Sequence, residues 1–401
     1  MPEQVRELTL HELSFVPEAG EVVVGRLDTG TYAVLPEDGA ELLRRLYEGM
    51  SPAEAGRWYE AEFGEPVDVD DFVDGLRELG FVRDGSTPDA APAARPVRFR
   101  RFGELLFSPP SIAVQLGIVG TWLWLAGQHR DLRPSPHQIF FTHSLLIVQI
   151  TIMVAQIPLL FMHEGYHILG GQRLGLPSTL RISNRLTYIV FETQLNGALS
   201  VPRRKRYLPF LGGMFADCVQ LAALGIVAQV TRGPDGGFSL AGRVCLAMAF
   251  TVVMRLAWQF QLYLRTDLYY VLATALNCYD LHDASKAVMK NRIWRLLRRP
   301  ARMVDVQRWT ERDRRVGSWY GIFLVLGVGT LVTITAYGSI PVIVQYFSTA
   351  FRHIGSGSFD AAFFDALLSI AMNAIQIGAV VYLSRRKRRG VRRPAPAERL
   401  T

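Results

Sequence analysis

The chain has 401 residues, 49% of them apolar and only 20% charged, with a formal net charge of +8 and a mean hydropathy of +0.16. Soluble domains carry about 25% charged residues, so this composition excludes a soluble globular enzyme and a disordered chain. The three cysteines, Cys218, Cys245 and Cys278, are odd in number and lack paired spacing, which excludes a disulfide scaffold and a cysteine zinc site.

The charge is unevenly spread. Residues 1–86 carry 20 Asp+Glu and 7 Arg, a net of −13, and the remainder carries 37 Lys+Arg and 16 Asp+Glu, a net of +21. The basic residues fall in short clusters between long apolar runs, the positive-inside pattern of a membrane protein rather than a nucleic-acid stripe. The first 30 residues are acidic and broken by polar residues, which argues against a signal peptide.

Residues 6–36 read as strands. Leu8, Leu10, Leu13, Phe15, then Val22–Val24, then Tyr32 and Val34 are separated by Ala19-Gly20 and Asp28-Thr29-Gly30, which are turn signals. Helical periods follow. Ala40, Leu42, Leu43, Leu46 and Tyr47 share one face. Ser51 with Glu54 has capping-box spacing and opens a second helix. Residues 68–79 predict a third, with Gly80 as its stop. Residues 85–96 are rich in proline and alanine and read as a linker.

Six apolar runs follow, at 111–127, 138–162, 207–231, 239–264, 319–347 and 363–384. Most reach the ~20 residues that a membrane-crossing helix needs. Segment 170–206 holds 7 Lys+Arg and one acid, segment 286–315 holds 11 Lys+Arg and 3 acids, and the tail opens with five basic residues from Arg385 to Arg389. Six spans with both termini cytoplasmic place every basic cluster inside, whereas a seventh span would expose one. The fold class expected is an all-α polytopic membrane protein with a small N-terminal α+β, winged-helix-like domain.

The strongest motif is His163-Glu164-Gly165-Tyr166-His167, expected at the cytoplasmic end of the second span. At helical pitch its two histidines lie one turn apart on one face. Such a pair suits one zinc ion, with Glu164 as general base toward the attacking water. Ionisable residues at a membrane helix end are costly and point to function. Zinc needs a third protein ligand. Asp267 at the end of the fourth span, Asp217 within the third and Glu192 in the intervening loop are the candidates.

Residues 180–199 alternate apolar and polar and predict short strands. An exposed edge there suits an extended peptide by strand addition, with Asn196 as a candidate hydrogen-bond donor to an oxyanion. His143 lies too far before His163 to share the metal. His129, His137, His282 and His353 are expected in loops and His11 in the N-terminal domain, none as a ligand. Arg255 is costly inside the fourth span and is expected to pair with an acid or reach the membrane surface.

Residues from about 139 to 285 resemble the site-2 protease class of membrane zinc metalloproteases. The resemblance is carried by His163–His167 followed by Ile168–Gly175, by Gly212-Gly213 at the start of the third span, and by Thr266-Asp267-Leu268-Tyr269-Tyr270. It implies a site-2 protease-like core with Asp267 as third zinc ligand. Leu268 stands where the class has glycine, and Met214 where it has proline. Residues from about 8 to 83 resemble PqqD-like peptide-recognition domains of ribosomal peptide natural-product pathways. This match is carried by residues 30–35, 42–49 and 69–82, and it implies that a leader peptide adds as a strand beside Thr31, Tyr32, Ala33, Val34 and Leu35.

The domain organisation expected is a peptide-recognition domain at 1–84, a linker at 85–104, a metalloprotease core at 105–285, a basic cytoplasmic loop at 286–318, two C-terminal spans at 319–385 and a basic tail at 386–401. The function implied is a zinc endopeptidase, one zinc per chain, cleaving a leader-bearing precursor peptide, with membrane lipid and no nucleic acid as its other partner. The alternatives are regulated cleavage of a signalling protein, or a non-catalytic peptide receptor, exporter or immunity partner.

Overall fold

The computed structural model describes residues 8–83 apart from 19, 27, 28 and 30, residues 99–307 apart from 177, 186, 187, 196 and 197, and residues 309–390 apart from 356. The expected linker at 85–96 lies outside the described residues, as does most of the basic tail. The protein is mostly helical, with a small antiparallel sheet near its N-terminus and six helices long and apolar enough to cross a membrane. Its residues group into two compact units.

The first unit takes in the described residues up to Leu106 together with those of 168–179 and 193–209. Strands β1 (Leu13–Glu18), β2 (Glu21–Arg26) and β3 (Thr31–Pro36) form an antiparallel sheet in the order β1-β2-β3. Its register pairs Phe15 with Val24 and Val24 with Ala33. Helices α1 (Glu37–Tyr47), α2 (Pro52–Phe63) and α3 (Val69–Glu78) follow. The expected capping box is present: Glu54 N–H donates to Ser51 Oγ, and Ser51 N–H donates to Glu54 Oε2. Asp68 caps α3 by accepting from Asp71 N–H at 3.0 Å. The core joins Leu13, Val22 and Val24 of the sheet to Leu43, Leu76 and Phe81, with Phe81 fully buried. Burying side chains of this size stabilises by roughly 1.5–3 kcal/mol each.

This unit also contains the short helix α4 (Arg100–Leu106) and the approach to the third long helix. There Arg206 is buried. Its guanidinium donates to Glu18 Oε2 at 2.9 Å and to the carbonyls of Leu199 and Val201. The acid of β1 and the cation of segment 198–206 therefore satisfy each other away from water.

The six long helices are α5 (Pro109–Gln128), α6 (Leu145–Arg173), α7 (Arg203–Val230), α8 (Leu240–Trp258), a fifth continuous rod and α14 (Ala361–Gly390). Strands β4 (Ser178–Arg185) and β5 (Tyr188–Leu195) pair between α6 and α7 in the chain, as the alternation at 180–199 predicts. Between α8 and the rod come α9 (Asp267–Leu276), α10 (Leu281–Leu296) and α11 (Glu311–Trp319). The rod is α12 (Gly321–Thr333) running through a π turn at Ile334–Ser339 into α13 (Ile340–Gly355). Half of the apolar window of α7 and 39% of that of α8 is buried, against 11% for the other four. These two helices are therefore central, and the others turn apolar faces such as Ile147, Met153, Ile157 and Phe161 of α6 outward.

Three helix ends differ from the sequence expectation. Helix α6 starts at Leu145 rather than 138 because Asp365 of α14 caps it. That carboxylate accepts from Leu145 N–H at 2.7 Å and from Leu146 N–H at 3.3 Å, and Ser144 Oγ also binds it. At its other end α6 runs past 162 to Arg173, because nothing stops it before Gly175 in the left-handed region. The histidine motif thus lies within a continuous helix and not at its terminus. Helix α8 ends at Trp258 rather than 264, because Gln259 turns its hydrogen bonds to Thr266 and Asp267. His282 and His353 lie in α10 and α13 rather than in loops.

Candidate metal centre

Residues 163–167 occupy the last third of α6, where His163, Glu164 and His167 are all buried. The four-residue spacing turns both imidazoles to one face, with their Nε2 atoms 3.2 Å apart. Asp267 is the first residue of α9. Arg265, at φ 54°, bends the chain into the helix; Thr266 Oγ1 donates to the Gln259 carbonyl at 2.6 Å, and Asp267 N–H donates to Gln259 Oε1 at 3.1 Å. The side chain so held brings Asp267 Oδ2 to 3.3 Å from His163 Nε2 and 3.2 Å from His167 Nε2.

Three ligand atoms thus form a near-equilateral triangle of 3.2–3.3 Å sides. Ligands at ~2.0–2.1 Å from a tetrahedral zinc ion stand about 3.3–3.4 Å from one another, so the triangle matches one face of that tetrahedron.

Helix α7 shapes the space in front of the triangle. A Cβ on Gly213 would lie 2.2 Å from His167 Nε2 and 2.5 Å from His163 Nε2, and one on Gly212 would lie 2.9 Å from the Tyr166 carbonyl oxygen. The first glycine leaves open the volume that a metal between the two nitrogens requires. The second lets α6 and α7 approach backbone to backbone. The donor set and this cradle fit zinc.

Asp217, expected as an alternative third ligand, stands on the opposite side of His163. Its Oδ2 is 3.1 Å from His163 Nδ1, at an angle short of hydrogen-bond geometry, and it is not among the three converging donors. It is fully buried and holds Arg255, whose expected acidic partner it is. Asp267 is not paired with Arg265, which binds Asp283 at 2.6 Å instead.

The side chain of Glu192 and all of Asn196 lie outside what is described. Thr31 to Leu35 form β3, an edge strand whose one partner among the described residues is β2. They belong to the first unit, and His163, His167 and Asp267 to the second. Sequence reasoning missed Gln259, which fixes Asp267, and the amides Gln156 and Gln220 beside Arg255. All three were legible as polar residues within apolar runs. Compared with family models, curated proteins and solved structures, the chain matches none.

Proposed function

We propose that this protein is a membrane-embedded zinc endopeptidase of the site-2 protease type, which removes a leader from a ribosomally made precursor peptide. The reading is carried by one observation: two histidines one helical turn apart and a carboxylate from a separate helix converge on a space that a glycine keeps open. His163, His167 and Asp267 would hold the ion. When bound, zinc supplies Lewis acidity that polarises a scissile carbonyl and makes water more acidic.

The rest of the chemistry belongs to the chain. Glu164 follows His163 in the same buried turn and accepts the proton of the attacking water. It returns that proton to the amine nitrogen as the carbon–nitrogen bond breaks. Low dielectric around the site strengthens the stabilisation of the developing oxyanion. In the N-terminal domain, the open edge of β3 suits a leader peptide added as a further strand. The acidic character of that domain favours basic or neutral peptides over nucleic acid. The basic loops favour a plasma or inner membrane location with both termini in the cytoplasm.

The test is co-expression with precursor peptides encoded beside the protein, followed by mass spectrometry and metal analysis of the purified chain. The expected result is about one zinc per chain and a trimmed peptide with the wild type, with trimming absent in Glu164→Gln. Equal trimming with both proteins refutes the proteolytic assignment.

A further inference from the structure

The sequence expectation left Arg255 and Asp217 as costly charges within apolar helices, and the metal-facing triangle uses neither. Their arrangement has a direction. Arg255 Nε lies 3.1 and 3.0 Å from the two Asp217 oxygens, and Nη2 lies 2.5 Å from Oδ1. Nη2 also donates to Gln220 Oε1 at 3.1 Å, and Nη1 to Gln156 Oε1 at 3.4 Å. Gln220 Nε2 donates in turn to the Leu159 carbonyl at 3.1 Å, one turn before His163. The network thus begins at one side of the His163 ring and closes on the backbone of the helix that carries that ring.

An imidazole binds metal through its unprotonated nitrogen, so its other nitrogen carries the hydrogen and needs an acceptor. The Nε2 atom of His163 faces Asp267 and His167, and its Nδ1 faces Asp217. We propose that Asp217, charge-compensated by Arg255, is the positioning residue that fixes the tautomer and aim of His163 toward the metal. This rests on the metal-site reading above.

The geometry makes one face of α7 serve the same histidine twice. Gly213 leaves the space before Nε2, and Asp217, one turn later, brings its Oδ2 to 3.1 Å from Nδ1, within reach to accept from that nitrogen once it carries the hydrogen. The guanidinium explains how a fully buried carboxylate is tolerated there. An isolated ion at membrane depth is expensive, and a paired, hydrogen-bonded one is much less so. A pair serving only to join α7 to α8 has no need to lie within 3.1 Å of a histidine.

The test measures zinc affinity of the full chain in lipid nanodiscs by competition with a chromophoric chelator. The ligand-field spectrum of the cobalt-loaded protein supplies a second readout. Asp217→Asn alone leaves Arg255 unbalanced, so the double variant Asp217→Asn/Arg255→Gln keeps the test open if the single one does not fold. The expected result is an unchanged stoichiometry at saturating zinc, an affinity about 10–100-fold weaker, typical for loss of such a partner, and an altered cobalt spectrum. Wild-type affinity and spectrum in a folded double variant overturn the positioning role while leaving the metal site standing. A wild type that binds no zinc overturns both.

Discussion

Replacing Gly213 by alanine adds one methyl group at the point where the proposed zinc ion would sit. The new carbon would stand 2.2 Å from His167 Nε2 and 2.5 Å from His163 Nε2. Zinc sits ~2.0–2.1 Å from each imidazole nitrogen, so the methyl and the ion compete for nearly the same place. Relief is available only by swinging both rings aside, which removes two of three protein ligands. The helix itself gains, since alanine is favoured over glycine by about 1 kcal/mol in a helix interior. The substitution therefore separates metal binding from folding. Zinc affinity is expected to fall by more than the ~100-fold upper range of outer-shell substitutions, with helicity by circular dichroism and the gel-filtration profile retained. Gly165→Ala is the matched control. It lies within the same motif, a Cβ there meets nothing within 4 Å, and it should keep wild-type zinc. Full zinc loading of Gly213→Ala, measured by mass spectrometry of the metal, would show that the triangle is not the metal site.

Other expectations follow from neighbouring contacts. Gln259→Ala leaves the Asp267 N–H without its acceptor. An unsatisfied buried donor costs roughly 1–3 kcal/mol, and zinc affinity should drop about 10-fold in a chelator competition. Glu18→Ala strands the buried Arg206 cation, so thermal stability should fall by about 3–5 kcal/mol. Calorimetry checks this against Glu18→Leu/Arg206→Met, which should recover most of the loss. The Tyr59 hydroxyl donates to Asp38, holding that carboxyl below its usual value, and the Tyr59 phenol is itself pushed up to about 12. The depressed carboxyl stabilises above its unfolded pKa and loses that contribution as pH falls; the raised phenol stabilises below ~10 and loses it as pH rises toward 12. Both groups are only part-buried and the pair is screened by solvent, so Tyr59→Phe should cost about 1 kcal/mol or less at neutral pH. Melting-temperature differences between the two proteins should narrow as pH falls below the ordinary value of 3.8 and through the depressed value of the Asp38 carboxyl, and a gap that does not narrow refutes the pairing.

Much of the architecture is legible locally. The capping box at Ser51 and Glu54, the acid before α3 and the alternation at 180–199 are each short-range signals, and each yields the element expected. The six apolar runs are found because crossing a bilayer demands length and apolarity, properties that need no neighbour. What escaped is set by distant partners. The start of α6 depends on an acid 220 residues away, and the end of α8 on a glutamine that turns back to hold Asp267. The histidine pair was visible from its spacing alone. The choice between Asp217 and Asp267 was not, because topology brings both carboxylates toward α6 without saying which ring nitrogen each will meet.

The contact of Asp365 with the first residues of α6 ties the final helix to the position of the histidine pair. His163 lies eighteen residues beyond Leu145, about 27 Å along the helix axis. A slip of α6 by one residue would move both imidazoles by about 1.5 Å, enough to undo the triangle with Asp267. The carboxylate at the opposite end acts as a depth gauge, holding the long helix in axial register so that its far turn stops level with α9.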